Sequence, residues 1–243
     1  MQNRISRIEN LEALTNLTYL ELGANRIREI EGLFTLTNLT SLWLGQNRIT
    51  ELKNLSALTN LRSLSIQANR LTSLAGIDTL PQLTELYVSD NKIPSLAPLA
   101  QNAQLEILDF QSNPIGSLEG LEALAKLENV WASNCQVEDF REIERALRDK
   151  EKLEEVYFEG NPVQKREPVL YRNKLRLALP QVGKIDACEF DSVFRSRCFD
   201  RSEGIVCANG IYSVCQGDLK ALWAETLVNG TKVDEPCRHG LAA

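Results

Sequence analysis

The chain is poor in the residues that do chemistry. It has one histidine and one methionine in 243 residues, and the histidine, His239, lies near the C-terminal end. It contains no glycine-rich phosphate loop and no Cys-x-x-Cys pair, and no histidine sits within its repeats. Those absences argue against nucleophilic, metal-assisted and phosphoryl-transfer catalysis, so the chain reads as a non-enzyme without cofactor or metal. No apolar run approaches the roughly 18 residues of a membrane span. No hydrophobic leader follows Met1-Gln-Asn-Arg-Ile-Ser-Arg. The net charge of −6 disfavours general attraction to nucleic acid or anionic lipid and favours a basic partner. Without a leader, the six cysteines read as reduced thiols of a cytosolic or nuclear protein.

What the sequence has instead is repetition. Leu39-Thr-Ser-Leu42-Trp43-Leu44-Gly-Gln-Asn47 carries the frame Leu-x-x-Leu-x-Leu-x-x-Asn, and Asn3, Asn25, Asn47, Asn69, Asn91 and Asn113 recur at a step of 22 residues. A period and consensus of this kind mark leucine-rich repeats. The expected fold is an α/β solenoid: a parallel sheet on the concave side, 3₁₀ or short helical turns on the convex side, and a helical C-terminal cap. Each asparagine is expected to satisfy backbone groups where the chain leaves a strand, because its short amide both donates and accepts.

Two later units depart from the frame. Leu127, Val130 and Ala132 keep a strand, but Cys135 replaces the asparagine. The stretch from Glu138 to Lys152 spaces Phe140, Ile143 and Leu147 as a helix of about three turns. Leu153, Val156, Phe158 and Asn161 form the expected last strand and turn. Tyr171, Leu175 and Leu179 share a helical face that Pro180 ends, giving a cap over 161–187 and a solenoid over 1–187. The chain opens inside a repeat with no polar cap before Asn3, which reads as a shortened N-terminus. Residues 188–243 hold five cysteines and no repeat frame, and read as a weakly structured tail in which the sequon Asn229-Gly-Thr231 has no role.

Strand side chains alternate between faces. Leu20 and Leu22 therefore point inward and Glu21 outward, and the same parity sends Trp43, Ser65, Tyr87, Asp109, Trp131 and Tyr157 to the solvent side. A second column holds Tyr19, Ser41, Ser63, Glu85, Ile107, Asn129 and Glu155. Large aromatics framed by polar residues resemble an interface hot spot. Glu21, Asp109, Glu155 and Glu159 are expected to steer a basic partner toward it.

The unit Asn25-Arg-Ile-Arg-Glu-Ile-Glu-Gly-Leu33 resembles the leucine-rich-repeat regulatory subunit of protein phosphatase 1. So do Tyr157-Phe-Glu-Gly-Asn161-Pro-Val-Gln-Lys and Tyr171-Arg-Asn-Lys-Leu-Arg-Leu-Ala-Leu-Pro180. The resemblance implies a nuclear and cytoplasmic regulator that binds the phosphatase catalytic subunit through its concave face. It assigns contact roles to Glu21, Trp43, Asp109, Trp131 and Tyr157, and parity adds Tyr87. The sequence departs from the family's pattern at Asn129, where an acid is usual. A different class remains open: a ribonucleoprotein scaffold similar to the leucine-rich protein of the U2 spliceosomal particle. A third reading is a shortened product without stable function.

Overall fold

A computed structural model describes residues 3–189. The tail expected over 188–243, apart from its first two residues, and the sequon lie outside the described residues.

Nine strands form one sheet in chain order. They are β1 (Tyr19–Glu21), β2 (Ser41–Trp43), β3 (Ser63–Ser65), β4 (Glu85–Tyr87), β5 (Ile107–Asp109), β6 (Asn129–Trp131), β7 (Glu155–Tyr157), β8 (Lys184–Ile185) and β9 (Cys188–Glu189). The pairings from β1 to β8 are parallel and the last is antiparallel. The expected last strand, β7, is therefore not the last. The β8–β9 hairpin extends the sheet past the expected boundary at residue 187 and adds Lys184 to its open face. Strands of three residues suffice because neighbouring repeats, not length, hold them: each unit buries its apolar edge only against the next. Leu42, Leu44, Leu64, Ile66, Leu86, Val88, Leu108, Phe110, Val130, Val156 and Phe158 are all buried in one continuous core.

The asparagines tie successive repeats together. Asn47 Nδ2 donates to the Leu44 carbonyl of its own turn at 3.0 Å and to the Leu22 carbonyl of the preceding repeat at 3.0 Å, while its Oδ1 accepts from Ile27 N at 3.0 Å. Asn69, Asn91 and Asn113 repeat this set. Each residue before the asparagine is left-handed: Ala24, Gln46, Ala68, Asp90 and Ser112 have φ between 51° and 56°. Non-glycine residues adopt that conformation at a cost of roughly 1–2 kcal/mol, which the amide network offsets. Cys135 supplies only half of the network. Its Sγ donates to the Phe110 carbonyl at 3.4 Å, but Ile115 N, with no asparagine oxygen to reach, bonds the Asn113 carbonyl at 2.8 Å.

On the other side of the core, Ile49, Leu52, Leu55 and Leu58 are buried, as the threefold spacing implies. Short 3₁₀ helices occur at Ile77–Thr79 and Ala97–Gln101. Gly76 is required at φ 98°, because a Cβ there would lie 2.3 Å from the Leu52 carbonyl oxygen. Helix α1 (Phe140–Leu147) has eight residues, about two turns instead of the expected three. Asp139 starts it by accepting from Arg141 N at 2.9 Å, and its amphipathic face ends at Leu147 before the charged Arg148-Asp149-Lys150.

Two helices follow the repeats, α2 (Pro162–Arg166) and α3 (Tyr171–Ala178). Tyr171, Leu175 and Leu179 are buried on one face, and the Tyr171 ring meets Phe140 of α1 at 6.4 Å. Tyr171 donates its hydroxyl to Asp186, whose Oδ1 also accepts from Phe158 N and Glu159 N at 3.1 Å. Cys135 is free and buried.

Candidate functional site

The strand register builds the outward-facing row directly. Glu21 pairs with Trp43, Trp43 with Ser65, Ser65 with Tyr87, Tyr87 with Asp109, Asp109 with Trp131, and Trp131 with Tyr157. The residues between the row and the second column, Leu42, Leu64, Leu86, Leu108, Val130 and Val156, are fully buried. The two indoles therefore stand on the open face of the sheet and not in the core. Trp43 is 42% exposed, while Trp131 is half-buried and its Nε1 has no hydrogen-bond partner.

The aromatics are arranged in two clusters. Trp43 packs against Tyr19 with ring centroids 6.1 Å apart, and Trp131 packs against Tyr87 at 6.2 Å. Between the clusters the face is small-bodied: Ser63 and Ser65 are buried, although parity put them on the solvent side. Ser65 lies in register between Trp43 and Tyr87, and Ser63 between Ser41 and Glu85, so the face dips between the two aromatic clusters. Tyr19 gives its hydroxyl to Glu21 at 3.1 Å and Tyr87 gives its own to Glu85 at 3.4 Å. Burial and the adjacent carboxylates raise both phenol pKa values, so both remain neutral donors at physiological pH.

Two acids do not behave as steering charges. Asp109 is in the row but only 3% exposed. Its Oδ2 accepts from Gln67 Nε2 at 3.2 Å, and its Oδ1 accepts from Gln111 N and Gln111 Nε2, both at 3.1 Å. It is a structural acceptor, not an exposed contact, because the flanking Tyr87 and Trp131 rings close over its position. Glu155 is engaged as well, by Lys184 Nζ at 2.6 Å and Asn129 Nδ2 at 3.0 Å. Glu21 and Glu159 stay exposed. Lys184 also lies over the Tyr157 ring at 5.7 Å. Gln67, Gln111 and Lys184 are thus site residues that parity alone did not find. The two glutamines stand at one position of the repeat, two before the ladder asparagines Asn69 and Asn113, which was their available signal.

A cavity of about 750 Å³ lies away from this face, between α1 and the α2–α3 segment, lined by Phe140, Val163, Leu177 and ion-paired residues. Among the described residues no group of three or more His, Cys, Asp or Glu side chains is placed to hold a metal. No helix among them is long and apolar enough to cross a membrane.

An open parallel sheet with stacked asparagines, buried leucines and a row of exposed side chains defines a leucine-rich-repeat protein. The profile of the Leucine Rich repeats (2 copies) family matches residues 37–81, 59–101 and 81–123. Among characterised proteins, the chain is similar to protein phosphatase 1 regulatory subunit SDS22 of Schizosaccharomyces pombe. The two are 59% identical over 58 residues, which is 24% of this chain and 18% of that protein. An internalin of Listeria monocytogenes superposes with a TM-score of 0.64 at 24% identity, over 75% of this chain and 51% of its own; that likeness concerns the fold alone. A leucine-rich-repeat protein of Leptospira interrogans superposes with a TM-score of 0.62 at 31% identity, over 72% of this chain and 44% of its own.

Proposed function

We propose that this chain is a non-catalytic regulatory or scaffold subunit that binds the catalytic subunit of protein phosphatase 1 through the open face of its repeats. The observation that carries this reading is the aligned row Glu21, Trp43, Tyr87, Asp109, Trp131 and Tyr157, in a chain 59% identical over 58 residues to a regulatory subunit of that phosphatase. Within the row, Trp43, Tyr87, Trp131 and Tyr157 are the contact residues, Glu21 is the exposed acid, and Asp109 holds the floor under the second aromatic cluster. Half-exposed aromatics cost little side-chain entropy to order and bury much area, which is how a few residues dominate an interface. No cofactor is needed for such a role, and the reading carries with it a nuclear and cytoplasmic location for the protein.

Affinity purification of the tagged full chain from eukaryotic cells, followed by mass spectrometry, tests the reading. Recovery of the phosphatase catalytic subunit is expected. Recovery of an RNA-binding-domain protein with small nuclear RNA, and no phosphatase, would contradict it and favour a ribonucleoprotein scaffold.

A further inference from the structure

The residue after each ladder asparagine forms a second row, on the edge of the solenoid beyond the C-terminal ends of the strands. Arg4, Arg26, Arg48, Arg70 and Lys92 follow Asn3, Asn25, Asn47, Asn69 and Asn91 in five consecutive repeats. Backbone bonds lock them into register. Arg26 N donates to the Ile5 carbonyl at 2.8 Å, Arg48 N to Ile27 at 2.8 Å, Arg70 N to Ile49 at 2.9 Å and Lys92 N to Leu71 at 2.8 Å. Arg4, Arg26, Arg70 and Lys92 are exposed and Arg48 is half-buried. None of the five enters an ion pair among the described residues, although other cations of the chain do.

This arrangement is unusual for a protein of net charge −6. Like charges directly opposite one another on adjacent strands repel, and here five are stacked with no internal counter-charge. The positions two residues further on carry Ser6, Arg28, Thr50, Thr72 and Pro94, which add a sixth cation and three hydroxyl donors. Asp90, two residues before Lys92, is the one acid at the equivalent preceding positions of these repeats, and it stands at the far end. The row is therefore a line of charge without an ion pair among the described residues; the acids Glu29 and Glu51 stand three residues after Arg26 and Arg48, and Glu51 pairs with Lys53.

We propose that this edge is a docking strip for a short acidic peptide segment of a partner protein. At a strand spacing of about 4.8 Å, five cations span roughly 19 Å, the length of about six residues of extended chain. An extended acidic hexapeptide thus lies along the whole strip, with its carboxylates facing guanidinium groups suited to bidentate pairing. Single-stranded nucleic acid fits less well. It binds where bases stack on aromatics interleaved with the charges, and the positions flanking this row carry none. The overall negative charge also repels a long polyanion.

The test is fluorescence anisotropy of a labelled hexaglutamate peptide titrated with the full-length protein at low salt. A hexaglutamine peptide and an oligothymidylate of matched charge serve as comparisons. Hexaglutamate is expected to bind, to weaken as sodium chloride rises, and to lose at least tenfold in affinity in R26Q/R48Q/R70Q/K92Q. The charge-keeping R26K/R48K/R70K, which shares any packing change, should stay within about threefold of wild type. Absence of hexaglutamate binding, equal binding by the glutamine variant, or preference for oligothymidylate would overturn the proposal. Because the phosphatase reading rests on Trp43 and Trp131, W43A/W131A should leave hexaglutamate binding unchanged, so the two readings fail separately.

Discussion

Tyr87 and Trp131 stand two strands apart, yet their ring centroids are 6.2 Å apart and tilted by 44°. Strands two apart are separated by roughly 9.6 Å, so both side chains lean inward over the strand between them. The residue they lean over is Asp109, which is in register with both. A carboxylate there is kept dry from above and is held from the sides by Gln67 and Gln111.

Removing that acceptor leaves buried donors unmatched. Asp109→Ala is expected to cost about 1–3 kcal/mol of stability and to loosen the Tyr87–Trp131 pair. Urea denaturation measures the first effect, and the emission of Trp131 in a W43F/W223F background, compared with and without the substitution, measures the second.

The asparagine ladder makes two opposite predictions. Asn69→Ala removes the bonds to the Leu44 and Ile66 carbonyls and the acceptor for Ile49 N, and should cost about 2–3 kcal/mol. Cys135→Asn restores the missing oxygen opposite Ile115 N and should raise stability by about 1 kcal/mol. Thermal unfolding of the two variants should move in opposite directions.

Burial pushes the Cys135 thiol up to about 11, Asp109 adding to the rise. The folded chain therefore holds this proton more tightly than the unfolded chain. Its contribution to stability is complete below the ordinary thiol value near 8.5 and is lost as pH rises toward about 11. In native protein at pH 8 the Cys135 peptide should stay unalkylated by iodoacetamide, and should be modified in urea; peptide mass mapping reads both.

Asp186 works in the reverse of the usual carboxylate sense. Burial raises its pKa, and the bonds from Phe158 N and the Arg172 charge only partly oppose this. A raised carboxyl contributes most below its unfolded value near 4, and that contribution declines as pH rises through the folded value. Asp186→Asn keeps the Oδ1 acceptor without the buried charge. It should match or exceed the wild-type melting temperature at pH 7, with the difference shifting toward the wild type at pH 4. Asp186→Ala should lose about 2–3 kcal/mol at both.

The parts of the site readable from the sequence are those set by period alone. A step of 22 residues and a strand parity of two put Trp43, Tyr87, Trp131 and Tyr157 in one row, and they are in one row. The same logic covers the ladder, because identical residues at one step meet identical neighbours. What escaped it depends on reach across repeats. Ser65 and Asp109 share the outward parity of Trp43, but both are short and buried, and the Tyr87–Trp131 pair leans over Asp109. The β8–β9 hairpin escaped because two-residue strands without a leucine frame leave no periodic signal, and with it went Lys184, the cation that engages Glu155. Helix α1 is shorter than the spacing predicts: it ends at Leu147, and Lys150 is buried outside it, its Nζ donating to the Glu122 carbonyl of the preceding repeat.

Isothermal titration of the purified phosphatase catalytic subunit into the full chain tests the central claim most directly. Wild-type protein should give saturable binding, and W43A/W131A, with an unchanged melting temperature, should lose at least about 2 kcal/mol, roughly thirtyfold in Kd. Equal affinity in the folded double variant, or no heat with wild type, would contradict the assignment of the aromatic row as the docking surface.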